Sequence, residues 1–255
     1  MTGADLDDIE DGVELDGLPV QASVPPAAAA PVEPHFEKVT GDLDEVVKRL
    51  LHEYATRSEN PITFQGEQIQ FIERVVEHLD GVLYARRLGQ SPPQKVFLML
   101  GQGGSGKSEL ISFVKDLVDS FHSELTQCPG RPGDDGRGPT SVLAAGTNAA
   151  AANIGGDTIH SQLYLRGCGS YNLKALADRK VLPPSITFWH DVHLLVVDEI
   201  SMLSPALLTA LSFRVSQFRR TTVGADPGLY EAPGSAFGCI PIVILAGDFM
   251  QLPAM

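Results

Sequence analysis

This sequence predicts an α/β fold, a mainly parallel sheet flanked by helices, and three observations carry that expectation. Short aliphatic runs recur from position 96 onward, bounded by glycine, proline or acidic residues. Helical periodicities alternate with them, as they do where parallel strands are joined by crossover helices. Each run also ends in glycine, acidic or amide residues, and in such sheets ligands bind beyond the carboxyl ends of the strands.

Taken in order, the chain opens on a segment unlike the rest. Residues 1–37 hold nine Asp or Glu and no Lys or Arg, with Ala27 to Ala30 set between prolines. Such a stretch buries too little apolar surface to order itself, so residues 1–40 are expected to form a disordered acidic Pro/Ala-rich tail. From about Gly41 to Arg57 the spacing of Leu43, Val47, Leu50 and Leu51 predicts an amphipathic helix. A second follows from about Gln65 to Leu79 on Ile69, Ile72, Val76 and Leu79. Val96-Phe97-Leu98-Met99-Leu100 reads as a strand buried on both faces, and Leu110, Val114, Leu117 and Phe121 mark the next helix. Cys128 to Pro139 is rich in Gly, Pro and Asp and reads as an inserted loop. Val142-Leu143-Ala144-Ala145 leads into Gly146-Thr147-Asn148, and Leu194-Leu195-Val196-Val197 ends in Asp198-Glu199. Ser204 as N-cap and Pro205 at the first helical position start a helix continued by Leu208, Leu211, Val215 and Phe218. Thr221 to Ser235 reads as a long loop before the last run, Ile242 to Ala246, which ends in Gly247-Asp248.

The segment between the first strand and its helix carries the most chemistry. Gly101, Gly103, Gly104, Ser105, Gly106, Lys107 and Ser108 fit G-x-x-x-x-G-K-[ST], the phosphate-cradling P-loop. Small residues let backbone N–H groups point at phosphate oxygens, and the following helix N-terminus adds its dipole. Lys107 supplies a point charge for the β and γ phosphates, and the Ser108 hydroxyl suits Mg²⁺. The glycines alone also satisfy a dinucleotide fingerprint, but such a site has no use for the Lys-Ser pair. Asp198 is the expected Mg²⁺ partner and Glu199 the expected general base on an attacking water. An ordinary solvated strand end is the competing reading, opposed by four aliphatic residues before the pair. Together these features imply a Mg²⁺·nucleoside triphosphate site, for hydrolysis or as a relic of it.

Longer strings narrow the class. Val197-Asp198-Glu199-Ile200-Ser201-Met202-Leu203, Gly247-Asp248-Phe249-Met250-Gln251-Leu252-Pro253 and Asn153-Ile154-Gly155-Gly156-Asp157-Thr158-Ile159-His160-Ser161 resemble motifs of the Pif-type DNA helicases, a superfamily 1B family related to RecD. The resemblance implies a RecA-like ATP-binding domain over residues 41–255. It implies an ATP-dependent helicase moving 5′ to 3′ on single-stranded or fork DNA. It makes Gln251 a sensor of the γ-phosphate, Asp248 a member of the same coupling motif, and Gln68 the residue that reads adenine. Thr158 and His160 fall on the path of single-stranded DNA. Phe64-Gln65 stands where the family has Leu-Asn, Asn148 where glycine is usual, and Ala254 where a second proline is usual. Helicases of this kind have two RecA-like domains with ATP between them, so the expectation is a motor half completed by a second domain in cis or in trans. A non-catalytic ATP-binding fragment acting through partner proteins is the alternative.

Outside this constellation the sequence says less. Trp189 precedes a core strand and reads as a packing anchor rather than a base-stacking platform. His160 without its surrounding string would read as a structural residue. Cys128, Cys168 and Cys239 show no C-x-x-C pair, which points to reduced thiols and no zinc site. Net charge is −13, and without residues 1–37 the chain keeps 23 acidic and 19 basic residues, so its own DNA affinity is expected to be weak and salt-dependent. No secretory, mitochondrial or membrane-spanning pattern is visible, and an intracellular, nuclear protein is expected. Repair, telomere maintenance, organelle genome upkeep and a mobile element all stay open as settings.

Overall fold

A computed structural model describes residues 41–126, 138–165, 173–178, 181, 183–220 and 236–250. The acidic tail, Cys128, Cys168, most of the 128–139 loop, the 221–235 loop and Gln251 lie outside the described residues.

Two helices precede the sheet. In α1 (Gly41–Thr56) the predicted stripe gains Tyr54, and Leu43, Val47, Leu50 and Tyr54 are buried. The next helix, α2 (Glu67–Arg87), runs well past its expected end at Leu79. Asp80-Gly81 resembles a turn signal, yet Val82, Leu83 and Ala85 prolong the buried stripe. Their burial outweighs the roughly 1 kcal/mol that one interior glycine costs a helix.

The sheet is built from β1 (Lys95–Leu100), β2 (Ser141–Ala145), β3 (Asp157–Thr158), β4 (Leu194–Asp198) and β5 (Ile242–Gly247). All pairings are parallel, in the order β1-β5-β4-β2-β3. Between the strands run α3 (Lys107–Asp119), α4 (His122–Thr126), α5 (Asn148–Asn153), α6 (Ile159–Gln162), α7 (Leu173–Ala177), α8 (Pro183–His190) and α9 (Pro205–Arg220). Side chains alternate across the pleat, so each central strand serves two cores. Leu194, Val196, Ile242 and Ile244 join α1, α2 and α3 in one. Leu195, Val197 and Val243 join α8 and α9 in the other, where Trp189 is buried and stacks on Phe218. Ser204 caps α9 as expected, its hydroxyl accepting from the Leu207 N–H at 3.2 Å.

One strand departs from expectation. β1 is at the sheet's edge and is buried on one face only. Phe97 and Met99 face the core, whereas Val96, Leu98 and Leu100 are 46%, 56% and 51% exposed. An apolar run predicts burial only if another layer or strand covers its second face, and no described residue does so here.

The amino-terminal end of the sheet is tied by buried polar groups. A 3-10 turn at Ala236–Cys239 carries positive φ at Phe237, Gly238 and Cys239. Ser212 and Ser216 of α9 accept from the N–H groups of Phe237 and Gly238 at 2.9 and 2.8 Å. The buried Arg219 guanidinium donates to the carbonyls of Gly238, Trp189, His190 and Val192 at 2.6–3.2 Å. Beside it, His193 donates from Nδ1 to the Asp191 carbonyl and accepts at Nε2 from Arg86, each at 2.7 Å. Arginine has no acceptor, which fixes this tautomer.

Candidate nucleotide site

The carboxyl ends of β1, β4 and β5 meet beside the N-terminus of α3. The loop from Gly101 to Gly106 turns there, with Gly104 and Gly106 at φ 78° and 81°, a region that side chains disfavour. An added Cβ at Gly106 would lie 2.7 Å from Gln68 Nε2, so the Gln68 amide would have to shift. The first loop residue is held to the sheet by its N–H, which donates to the Gly247 carbonyl at 3.3 Å. At the tip, the Gly103 N–H donates to Asp248 Oδ2 at 3.1 Å. Lys107 Nζ donates to the carbonyls of Gly101 and Gln102 at 2.6 and 2.9 Å. Its charge therefore rests on the loop's own carbonyls, within reach of any anion the loop would cradle.

Asp198 closes β4 and is buried. Its Oδ1 accepts from the Glu199 N–H at 2.9 Å. Burial pushes its carboxyl above the usual range, against the pull of that hydrogen bond and of the Lys107 charge. Glu199 itself has φ 54° and ψ 44°, a left-handed conformation that costs a non-glycine residue on the order of 1 kcal/mol. What holds it is the 3-10 turn Ile200–Met202, which lies against Gly247. A Cβ at Gly247 would come within 3.0 Å of Ile200 Cγ1 and 3.1 Å of its nitrogen. On the other side, a Cβ at Gly146 would meet Leu203 Cδ2 at 2.7 Å. The turn after Asp198 thus lies close to the backbone at the end of β5, while the Leu203 side chain reaches the residue after β2. Asp248 anchors the end of β5, its Oδ1 accepting from the Met250 N–H at 2.9 Å.

Two cavities open on either side of the loop. One, of about 310 Å³, is lined by Gly103, Gly104, Gly106, Lys107, Ser108, Glu109, Asn153, Asp198, Glu199, Gly247 and Asp248. The other, of about 340 Å³, is bordered by α2 and the end of β1 and includes Gln68, Phe71, Arg74, Leu98, Leu100, Gly101, Ser105 and Lys107. Lys107 borders both. The first is polar and carboxylate-rich, with the donor types that suit phosphate and a hard cation. Among its described lining residues Lys107 is the only Lys or Arg. The second offers aliphatic and aromatic walls with an amide and a guanidinium at the rim, suited to a flat heterocycle.

The structure therefore brings Lys107, Ser108, Asp198, Glu199 and Asp248 around one cavity and sets Gln68 at the other. Gln68 Nε2 donates to the Ser105 carbonyl at 3.0 Å, and its Oε1 accepts from the Gln65 N–H at 3.2 Å. Its amide is thus bonded to the loop at one end and to its own helix start at the other. Thr158 and His160 line neither cavity. The Thr158 hydroxyl accepts from the Ser161 N–H at 3.3 Å and caps α6, while His160 is half-buried in that helix. Gln251 lies outside the described residues. The sequence assigned no site role to Asn153, Phe71, Leu98 or Leu100. The apolar three carry no local signal beyond helix or strand periodicity. Among the described residues no group of three or more His, Cys, Asp or Glu could hold a metal ion by itself. No described helix is long and apolar enough to cross a membrane.

Fold and site together define a RecA-like P-loop domain. Residues 87–255 match the family model of the PIF1-like helicases, and the chain belongs to that family. It is 31% identical over 155 residues to the ATP-dependent DNA helicase PIF1 of Candida albicans, covering 60% of this chain and 14% of that protein. It is 30% identical over 155 residues to ATP-dependent DNA helicase PIF6 of Trypanosoma brucei brucei, covering 60% and 16%. In fold it is similar to the Pif1 helicase from Bacteroides solved with ADP-AlF3 and ssDNA, at TM-score 0.50 and 23% identity, over 76% of this chain and 34% of that one. The chain thus spans about one sixth of the length of the curated relatives it matches.

Proposed function

We propose that residues 41–255 form the nucleotide-binding half of an ATP-dependent DNA helicase. One observation carries the reading. In a chain of the PIF1-like family, the P-loop, Lys107, Ser108, Asp198, Glu199 and Asp248 converge on a single cavity at the carboxyl edge of a parallel sheet.

The loop amides and the α3 N-terminus bind the phosphates, and Lys107 exchanges its carbonyl partners for phosphate oxygens. Ser108 and Asp198 are the residues that would hold Mg²⁺. A hydroxyl and a single carboxylate fit an ion that keeps several waters and arrives with the nucleotide, rather than one in an all-protein cage. When bound, Mg²⁺ neutralises charge on the β and γ phosphates. Glu199 is placed to take a proton from the attacking water. The adenine stacks in the cavity beside Phe71, Leu98 and Leu100, with Gln68 at its edge. Gln251 senses the γ-phosphate.

A cavity that holds four acidic side chains and one lysine is poorly supplied with positive charge for a transferring phosphoryl group. An arginine placed there is worth roughly 10³ to 10⁵ in rate. A second RecA-like domain, in cis or in trans, is the proposed source. Single-stranded or fork DNA is the proposed partner, running past Thr158 and His160, with 5′-to-3′ movement by family.

Equilibrium binding of a fluorescent ATP analogue, with and without Mg²⁺, tests the first step, and turnover with and without single-stranded DNA tests the second. The expected result is Mg²⁺-dependent binding lost in Lys107→Ala, with little turnover by the chain alone. Binding that persists in Lys107→Ala would overturn the nucleotide site. Vigorous DNA-stimulated turnover by this chain would overturn the need for a second domain.

A further inference from the structure

We infer that Asn153 reads the terminal phosphate of the bound nucleoside triphosphate, an inference that rests on the nucleotide reading above. Asn153 lines the phosphate cavity together with Ser108, Asp198 and Glu199, and has no part in the other cavity. That places it where a third phosphate and its attacking water would sit, and not at the nucleoside end.

Local backbone geometry delivers it there. Asn153 is the last residue of α5, and the helix ends in a Schellman motif. The Gly156 N–H donates to the Ala151 carbonyl at 2.8 Å, and the Gly155 N–H to the Ala152 carbonyl at 3.2 Å, with Gly155 at φ 66°. The cap uses backbone groups only. The Asn153 carboxamide takes no part in it and makes no hydrogen bond to another described residue. An exposed amide with both its donor and its acceptor unspent therefore borders a cavity whose other polar side chains are mostly anionic. Its NH₂ can donate to a phosphate oxygen and its carbonyl can orient a water toward Glu199.

The same position ties the nucleotide to the proposed DNA path. Ile154 is buried, and an added Cβ at Gly156 would lie 2.3 Å from the Leu143 carbonyl, so the segment after Asn153 is clamped onto β2. It leads directly into β3, which pairs with Ala144–Ala145 and ends at Thr158. The chain from the phosphate cavity to Thr158 and His160 is therefore short and packed along its length.

The test compares affinities of the 255-residue chain for Mg²⁺ with ATPγS and Mg²⁺ with ADP, by fluorescence competition, in Asn153→Ala and Asn153→Asp. Loss of a hydrogen bond to a charged group should weaken ATPγS by roughly tenfold, with ADP changed by less than about twofold. Asn153→Asp should weaken ATPγS further, since it adds another anion to the cavity. Equal losses for both nucleotides would reveal a purely structural role and overturn the inference, as would no loss for either. Lys107→Ala separates the two failures. If it leaves binding intact, the nucleotide reading falls and this inference with it. If it abolishes binding while Asn153→Ala keeps the normal preference for ATPγS, the inference alone falls.

Discussion

The two ends of the sheet use the same kinds of side chain to opposite effect. At the amino end, Arg219 donates to four backbone carbonyls, and both ring nitrogens of His193 are engaged. Those groups are buried and consumed by the fold. At the carboxyl end, Lys107 also rests on carbonyls, but at the mouth of a cavity, where solvent or phosphate can compete for it. A cation with saturated, buried acceptors is structural, whereas one with replaceable acceptors beside open space is available for binding. Substitutions at the amino end should therefore move stability, and those at the carboxyl end should move ligand affinity.

Arg219→Ala is the largest break at the structural end. It strips the donor from four carbonyls and frees the positive-φ turn at Phe237–Cys239. A buried unsatisfied polar group costs about 1–3 kcal/mol, so a loss above about 3 kcal/mol is expected by urea denaturation. Nucleotide affinity per folded molecule should be unchanged, because the site lies at the other edge. A fall in affinity at temperatures where the variant is folded would erase the distinction between the two ends.

Gly247→Ala is the corresponding break at the site. Its methyl group must displace the Ile200–Met202 turn by a few tenths of an ångström, and with it Glu199 and the Asp198 carboxylate bonded to the Glu199 N–H. Overpacking of this kind costs about 1 kcal/mol of stability. Affinity for Mg²⁺·ATP should fall severalfold, a larger effect on binding than Arg219→Ala produces. Measuring both quantities on both variants sharpens the comparison, and equal effects on affinity would defeat it.

The two ends also differ in how far the sequence reveals them. The P-loop and Asp198 are legible because their signal is local, an aliphatic run followed at once by glycine or acid. Central strands were legible for the same reason, since β4 is buried along its whole length. β1 shows the limit of that signal. Its five apolar residues read like those of β4, yet strand order leaves it at the edge with one face open. Strand order arises from long-range pairing that no window of sequence contains. Arg219 was invisible for a related reason, because its partners are main-chain carbonyls from two distant segments. Asn153 was visible as a letter but not as a cavity residue, since it shares the cavity with Asp198 and Glu199 only through the long-range pairing of the strands that precede them.

The smallest expected effect tests the structural end through protonation. Burial lowers the His193 pKa to about 3, helped by the positive charges of Arg86 and Arg219. In the unfolded chain a histidine titrates near 6.5. Between these values the unfolded chain binds a proton that the folded protein refuses, so stability rises with pH across the window and is flat above it. Lowering the pH from 7.5 to 5.5 should therefore cost about 1 kcal/mol through this residue. His78, also lowered chiefly by burial, acts in the same direction. His193→Gln removes one titrating group while leaving His78 and the carboxylates in place. The pH-dependent loss, read by urea denaturation at the two pH values, should shrink by about 1 kcal/mol, whatever the variant's overall stability. If the loss is the same in both proteins, His193 is protonated in the folded state. The Arg86 contact would then be a repulsion rather than a hydrogen bond, and the amino end would be less saturated than its geometry indicates.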